Sequence, residues 1–336
     1  MPLPRIAIAT GDPAGIGPEI ALKAAINANV RALCRPLLVG DPAAVELHAR
    51  SAGLSPTLHV VEDPTDADWT EGTVNLLDAR DGSNAPIKFG TVDAAYGRAS
   101  LASAKRAIKA ALAGDVEAVV AAPQTERAIA AAHIAFDGYP SFVARVCGLP
   151  ADDAVLMLCF QHEGREVRIA HVTLHTSVQR ALGMITKERI VHTLRAVHAA
   201  LLKLGIAEPR IAVGGVNPHA GESGAFGREE IDVVDPAITE ARRGGLTVDG
   251  PIGADTLIQR KGYDAYVVML HDQGHVAAKL LAPQRVAALT IGTPVLFSSV
   301  AHGSALDIAG QGKAKPDAII EAITRLVGRR RRDPAT

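Results

Sequence analysis

Three short apolar runs each end in polar groups able to do chemistry. Ala265-Tyr266-Val267-Val268 leads into Met269-Leu270-His271-Asp272-Gln273-Gly274-His275, which carries two imidazoles, a carboxylate and an amide. Arg168-Ile169-Ala170-His171-Val172-Thr173-Leu174-His175 reads as a strand with a histidine at its end. Arg210-Ile211-Ala212-Val213-Gly214 runs into Gly215-Val216-Asn217-Pro218-His219. In α/β sheets, ligands bind outside the carboxyl ends of strands. One strand-end histidine is more often a packing residue than a ligand. Three such ends could converge, so His175, His219 and His271 are candidate ligands of one metal ion. Three imidazoles suit zinc or cobalt better than calcium or magnesium, and three protein ligands leave positions open for a substrate. His171 and His275 are either supporting groups or plain core residues.

Asp255, in Gly253-Ala254-Asp255-Thr256, and Asp272 are carboxylates at a loop and a strand end. Asp255 could equally be a helix N-cap. Lys279, eight residues beyond His271, could enter the same cleft or be a solvated helix lysine. Asp272, Asp255 and Lys279 are the candidates for general acid–base work, and the sequence does not rank them.

These groups need a frame. Ile6–Ala9 reads as a buried strand, followed by the tight loop Thr10-Gly11-Asp12-Pro13-Ala14-Gly15-Ile16-Gly17. Pro18 suits the first position of a helix, and Glu19 places negative charge at its positive end. The loop has neither the Rossmann nor the Walker spacing. Its glycines would let a ligand approach the backbone. Strands are expected at 36–39, 116–121, 155–159, 167–171, 210–213, 265–270 and 288–291. Helices are expected from Asp41-Pro42 to Ala52, then over 92–113 up to Gly114, and over 186–204, 229–243 and 316–327. Residues 62–90 read as irregular. This alternation predicts an α/β protein with mostly parallel sheets and helices on both faces.

The 336 residues suggest two domains, and 48% hydrophobic with 21% charged residues is ordinary for a globular protein. A net charge of −1 gives no bulk attraction to nucleic acid or membrane, and neither partner is expected. Arg329–Arg332 reads as a solvated basic tail within 329–336. Cys34, Cys147 and Cys159 form no disulfide framework. The absence of a signal-like N-terminus or a long apolar run points to the cytoplasm.

Ala301-His302-Gly303-Ser304-Ala305-Leu306-Asp307-Ile308-Ala309-Gly310-Gln311-Gly312 is a glycine-punctuated loop. It resembles the coenzyme loop of isocitrate and isopropylmalate dehydrogenases. That resemblance implies NAD held at its adenosine end by His302, Gly303, Ser304, Ala305, Asp307 and Ile308. A carboxylate at Asp307 would accept bonds from ribose hydroxyls and repel the extra phosphate of NADP. The whole chain resembles the 4-hydroxythreonine-4-phosphate dehydrogenase family. The carrying motifs are 11–19 (GDPAGIGPE), 217–222 (NPHAGE), 254–256 (ADT), 271–274 (HDQG) and the His302 loop. The resemblance implies two α/β domains around a cleft: an NAD-binding domain of residues 1–125 plus 275–330, and a metal, substrate and dimerisation domain of residues 126–274. It also implies a homodimer whose active site is completed at the subunit interface, and metal on His175, His219 and His271, with zinc first and cobalt, magnesium or manganese as alternatives.

The chain departs from the family where phosphate would bind. Gly138-Tyr139-Pro140-Ser141 stands where the family carries Gly-His-Thr-Glu, and two further substrate contacts fall at Ala288 and Phe297. A lysine common in the family is missing from Pro123-Gln124-Thr125-Glu126, while Lys279 is kept. Phosphate needs cationic or N–H donors, which Tyr, Pro, Ala and Phe do not supply. The pattern resembles a branch acting on terephthalate dihydrodiol, a cis-dihydroxycyclohexadiene dicarboxylate. Its expected substrate contacts are Asp12, Tyr139, Pro140, Ser141, Lys279, Ala288 and Phe297. The expected reaction is oxidation to a β-keto acid that decarboxylates. The alternatives are the 4-phosphohydroxythreonine reaction of pyridoxal phosphate synthesis, a related phosphorylated four-carbon acid, and a two-lobed protein that binds a small anion without chemistry.

Overall fold

The computed structural model describes residues 3–80, 82, 86–283, 286–300 and 302–327. The basic tail expected at 329–336 and Ala301 lie outside them. The strands are β1 (Arg5–Ala9), β2 (Arg35–Gly40), β3 (Thr57–Val61), β4 (Thr73–Asp78), β5 (Ala118–Ala121), β6 (Val155–His162), β7 (Arg165–His171), β8 (Arg210–Gly214), β9 (Thr247–Ile252), β10 (Ala265–Val268), β11 (Ala287–Ile291) and β12 (Phe297–Val300). Helices connect most of them, and the protein is α/β as its pattern predicts. Among the described residues, no helix is long and apolar enough to cross a membrane.

The chain divides into two compact units, Met1–Leu149 with Pro294–Thr336, and Pro150–Thr293. These boundaries differ from the expected 125/126 and 274/275. Helices Glu126–Ala131 and Tyr139–Val146 pack on the long helix Ala94–Ala113, which keeps them in the first unit. Helix His271–Leu281 packs on β6 and β7, which keeps it in the second.

In the first unit the strands run β3-β4-β2-β1-β5-β12, all parallel. Their residues are apolar on both faces because helices cover both sides. Ile6, Ile8, Leu37, Leu38, Val119 and Val120 are almost wholly buried. Helix Ala94–Ala113 starts where Asp93 Oδ1 accepts from Ala95 N at 2.7 Å, and ends at Gly114 with φ +84°. Its small residues let neighbours come close: a Cβ on Gly97 would sit 2.3 Å from the Ala128 carbonyl oxygen.

In the second unit the order is β11-β6-β7-β10-β8-β9. The strands β7, β10, β8 and β9 are parallel, while β6 pairs antiparallel with both β7 and β11. A two-residue turn, Glu163-Gly164 with φ +48° and +73°, joins β6 to β7, and so short a link permits only an antiparallel pair. Two expectations change. The irregular stretch at 62–90 contains β4. The helix expected at 229–243 opens with a π-helical turn, Glu230–Val234, before Asp235–Arg243.

Candidate active site

Strands β7, β10 and β8 are neighbours, so their carboxyl ends lie side by side in the second unit. His271 is the first residue of helix His271–Leu281. Gln273 caps that helix: its Oε1 accepts from Met269 N at 2.9 Å and Leu270 N at 3.0 Å. Its Nε2 donates to the Gly215 carbonyl at 3.1 Å, which ties the loop after β8 to the helix start. His271 Nδ1 lies 2.7 Å from Asp272 Oδ1, leaving Nε2 available as a donor to a metal.

Four imidazoles gather here. The His271 and His275 rings are stacked with centroids 3.8 Å apart, and the His175 and His271 centroids are 5.6 Å apart. His171 packs 4.7 Å from His275, and its buried Nε2 has no hydrogen-bond partner. Gly274 makes this possible, since a Cβ there would lie 2.3 Å from His171 Nε2. Burial, and then the neighbouring imidazoles, push the pKa of His171 down to about 3. Burial and then His271 push that of His275 down to about 4. Both rings therefore stay neutral. A cavity of about 480 Å³ opens beside them, lined by His175, His271, Asp272 and Thr173 and by the apolar Val178 and Leu270. Lys279 follows His271 and His275 at four-residue spacing on one helix face, and it is exposed.

His219 stands apart from this cluster. It lies in the turn Pro218–Gly224, where His219, Ala220, Glu222 and Ser223 all have positive φ. Such backbone costs on the order of 1–3 kcal/mol per residue and persists only when its surroundings enforce it. Glu230 does the enforcing. Its buried carboxylate accepts from Val216 N at 2.7 Å, Asn217 N at 2.8 Å and Asn217 Nδ2 at 3.0 Å. Burial raises the Glu230 pKa, but these N–H donors outweigh it and hold the carboxyl below its usual range. Cβ atoms on Gly215 and Gly221 would lie 2.9 and 2.6 Å from that carboxylate. Asp255 is exposed in the first turn of Ala254–Leu257, and the N-cap there is Gly253. Gly253 lies against the backbone of His219, so Asp255 belongs to the His219 neighbourhood.

The donor chemistry fits a divalent ion. Two imidazoles with centroids 5.6 Å apart can share one ion at bond lengths of ~2.1 Å. The chain brings His175 and His271 together and does not bring His219 to them. Among the described residues, no group of three or more His, Cys, Asp or Glu is arranged to hold a metal.

The first unit carries the remaining candidates. Ser304 O accepts from Ile16 N at 2.9 Å, and a Cβ on Gly15 would come within 2.6 Å of Ser304 Cβ. The glycines of the 11–17 turn thus admit the protein's own chain: Gly11 faces the Pro123 carbonyl and Gly17 the Thr10 carbonyl. Within the His302 loop, Ala305 has φ +42° and Ile308 N donates to Ala305 O at 3.1 Å. Asp307 is exposed, and its carbonyl accepts from Gln311 Nε2 at 2.9 Å. His302 and Gly303 are exposed, and Ser304 is buried. Asp12 is fully buried; Oδ1 accepts from Ala14 N at 2.9 Å and Oδ2 has no partner. Burial raises its pKa, and the Ala14 N–H only partly opposes it.

Several expected substrate contacts prove to be core side chains. Tyr139 and Phe297 are buried with ring centroids 4.9 Å apart, and Tyr139 donates to the Ala122 carbonyl at 3.3 Å. Ala288 sits in β11 opposite Leu158 and packs on the second unit's core. Pro140 and Ser141 are half-buried in the first turn of Tyr139–Val146. Reading the sequence assigned Gln273 no role of its own and missed Glu230. The first lies within the HDQG motif, next to the histidine that drew attention. The second lies 13 residues beyond Asn217, and only folding makes it a neighbour.

A family model described as pyridoxal phosphate biosynthetic protein PdxA matches residues 32–326. A 1,2-dihydroxy-3,5-cyclohexadiene-1,4-dicarboxylate dehydrogenase from Comamonas sp is 42% identical over 325 residues, covering 96% of both chains. A protein from Symbiobacterium thermophilum, provisionally named D-threonate 4-phosphate dehydrogenase, is 40% identical over 323 residues, covering 95% of both. The crystal structure of a 4-hydroxythreonine-4-phosphate dehydrogenase from Burkholderia phymatum superposes with a TM-score of 0.84 at 34% identity, covering 96% of this chain and 98% of the other.

Proposed function

The chain belongs to the PdxA family of dehydrogenases, and on that premise we propose that it is an NAD- and divalent-metal-dependent dehydrogenase acting on a non-phosphorylated cis-dihydrodiol dicarboxylate. One observation carries the choice of substrate. Where the family pattern has a His-Thr pair to meet phosphate, this chain buries Tyr139 against Phe297. A dianion would find no N–H or cationic donor in that ring pair. The 42% identical Comamonas relative is named for a dihydroxycyclohexadiene dicarboxylate.

In this reading His175 and His271 would hold the metal, with His219 as the third ligand where the subunit interface completes the site, and the metal would supply Lewis-acid polarisation of the substrate hydroxyl. His302, Gly303, Ser304, Ala305, Asp307 and Ile308 would hold NAD, which would supply the hydride acceptor. Asp272 orients His271. Lys279, on the same helix face, holds a substrate carboxylate. Asp255, beside His219, is the candidate to take the hydroxyl proton. Oxidation of the carbinol would send the C–H bond's electron pair with its hydrogen to that acceptor and the O–H proton to the base. The carboxylate β to the new carbonyl then departs as CO2, and its electron pair restores the aromatic ring. The product is protocatechuate.

The partner in this reading is a second copy of the chain. Helix Val178–Met184 exposes Val178 and Leu182, and helix His271–Leu281 exposes Val276 and Leu280. Val178 lines the same cavity as His175 and His271, and exposed apolar side chains that gather into a patch mark an interface. Cys34, Cys147 and Cys159 lie outside any disulfide, which suits a reducing compartment, and we place the enzyme in the cytoplasm.

The alternative, a phosphorylated four-carbon substrate, draws on the 40% identical relative. Absorbance at 340 nm with zinc-loaded protein, NAD, and either terephthalate dihydrodiol or 4-phosphohydroxythreonine separates the two. We expect turnover of the diol alone. Turnover of the phosphate ester alone would overturn the ring-pair argument.

A further inference from the structure

We propose that Lys23 and Glu19 are positioning residues that lock the loop carrying Asp307 into the shape that receives NAD. The inference rests on the NAD reading above and adds the device that aims the loop. Both residues lie on helix Gly17–Ala25, and Glu19 is fully buried. Lys23 Nζ lies 2.6 Å from Glu19 Oε1, 2.9 Å from Gly312 O and 2.8 Å from Ala314 O. Each of the three ammonium hydrogens therefore has an acceptor. Glu19 Oε1 also accepts from Ala314 N at 3.0 Å. The far stem of the loop is gripped by a cation and an anion together.

The near stem is fixed by the turn that leads into the same helix. Ile16 N donates to Ser304 O, and Gly15 leaves room for the Ser304 side chain. Asp307 lies between these two anchors. Gly310, packed on Phe89, and Gly312, with φ +68° and packed on Ala52, let the returning segment lie flat.

An ordinary i,i+4 pair on a helix surface gives its helix only slight support and touches nothing else. This pair differs, because its carboxylate is out of water and its cation is committed to loop carbonyls. Burying an ion pair is often no more stabilising than burying an apolar pair of the same size, and its best-attested benefit is a unique geometry. The geometry fixed here is that of the 304–314 segment. The exposed Asp307 carboxylate depends on it to face a ribose and to reject a 2′-phosphate.

The test uses the full-length protein. Lys23→Met alone would strand a buried carboxylate, so the main variant is the neutral double Glu19→Gln/Lys23→Met, with Lys23→Arg as the conservative rescue. NADH and NADPH dissociation constants are read by nicotinamide fluorescence, with melting curves to confirm folding. The wild type should bind NADH in preference to NADPH. In the folded double variant the NADH constant should rise about tenfold, and the NADH-over-NADPH preference should shrink by a similar factor. KM for NAD should rise with kcat changed little, and Lys23→Arg should recover most of the preference. If the double variant does not fold, Glu19→Gln, which removes the buried charge but keeps an amide oxygen for Lys23 Nζ and Ala314 N, takes its place in the same comparison. A folded variant with lowered melting temperature but unchanged NADH affinity and unchanged preference would overturn the inference and leave a plain structural staple. A wild type that binds no NADH at all would remove the NAD reading, and this inference with it.

Discussion

An imidazole coordinates well only when its second nitrogen is occupied, and Asp272 does this for His271 at 2.7 Å. Asp272 is itself exposed, so its removal should leave the fold intact. Asp272→Ala should weaken zinc binding about 10- to 100-fold, the range found for lost partners of metal-bound histidines. Competition with a chromophoric chelator reads this directly, and unchanged affinity would remove Asp272 from the site. At this scale the sequence was partly legible. His271 and Asp272 stand at the end of an apolar run, where strand geometry aims side chains at a ligand. Glu230 was not legible, because an acid following another acid after a glycine-rich turn looks like solvated charge. Only the fold brings it within 2.7–3.0 Å of the backbone it holds. Tyr139 and Phe297 were misjudged in the opposite sense, since their positions suggested a pocket wall and their apolar bulk went into the core.

Among the elements, the junction of helices Ala94–Ala113 and Glu126–Ala131 is a direct test of packing. A methyl at Gly97 would collide with the Ala128 carbonyl and the Ile129 N–H, both backbone atoms that cannot swing aside. Gly97→Ala should therefore cost about 1–3 kcal/mol in chemical denaturation, although alanine favours the isolated helix. A variant as stable as the parent would show that the short helix shifts freely. The long helix was readable from its period and from Gly114. The parallel strands of the first unit were readable because burial on both faces leaves continuous apolar runs such as Val119-Val120-Ala121. Strand β4 was hidden, since Val74-Asn75-Leu76-Leu77 sits in a stretch dense with Asp, Gly and Pro. The antiparallel turn of β6 rests on Glu163-Gly164, a pair that is weaker evidence for a hairpin than Asn-Gly.

For the whole molecule, association is the property to test. Val276 and Leu280 face solvent one helical turn apart, at 54% and 76% exposure. Leu280→Glu should shift the protein to monomers in light-scattering chromatography and abolish turnover, if the active site needs its partner. A dimer of undiminished activity would place the interface elsewhere. The family was legible at this scale, because several motifs spread from residue 11 to residue 312 agree with one another. The unit boundaries were not, because they depend on which helices pack on which strands, and no linker composition marks them.

The first unit leaves its sheet unfinished for a long interval. The chain departs at Leu149 and returns at Pro294, and only then does β12 lie down beside β5, bringing Phe297 into the core. On a ribosome adding ~5–20 residues per second, β5 waits on the order of ten to thirty seconds with one edge open. The second unit is continuous and can finish within that pause. A nascent chain at this stage presents an unpaired parallel edge and an empty aromatic slot, both of which invite mispairing. A message broken before codon 297 would encode a polypeptide that cannot close its first sheet, and the cell's quality control would meet it as an unfolded chain.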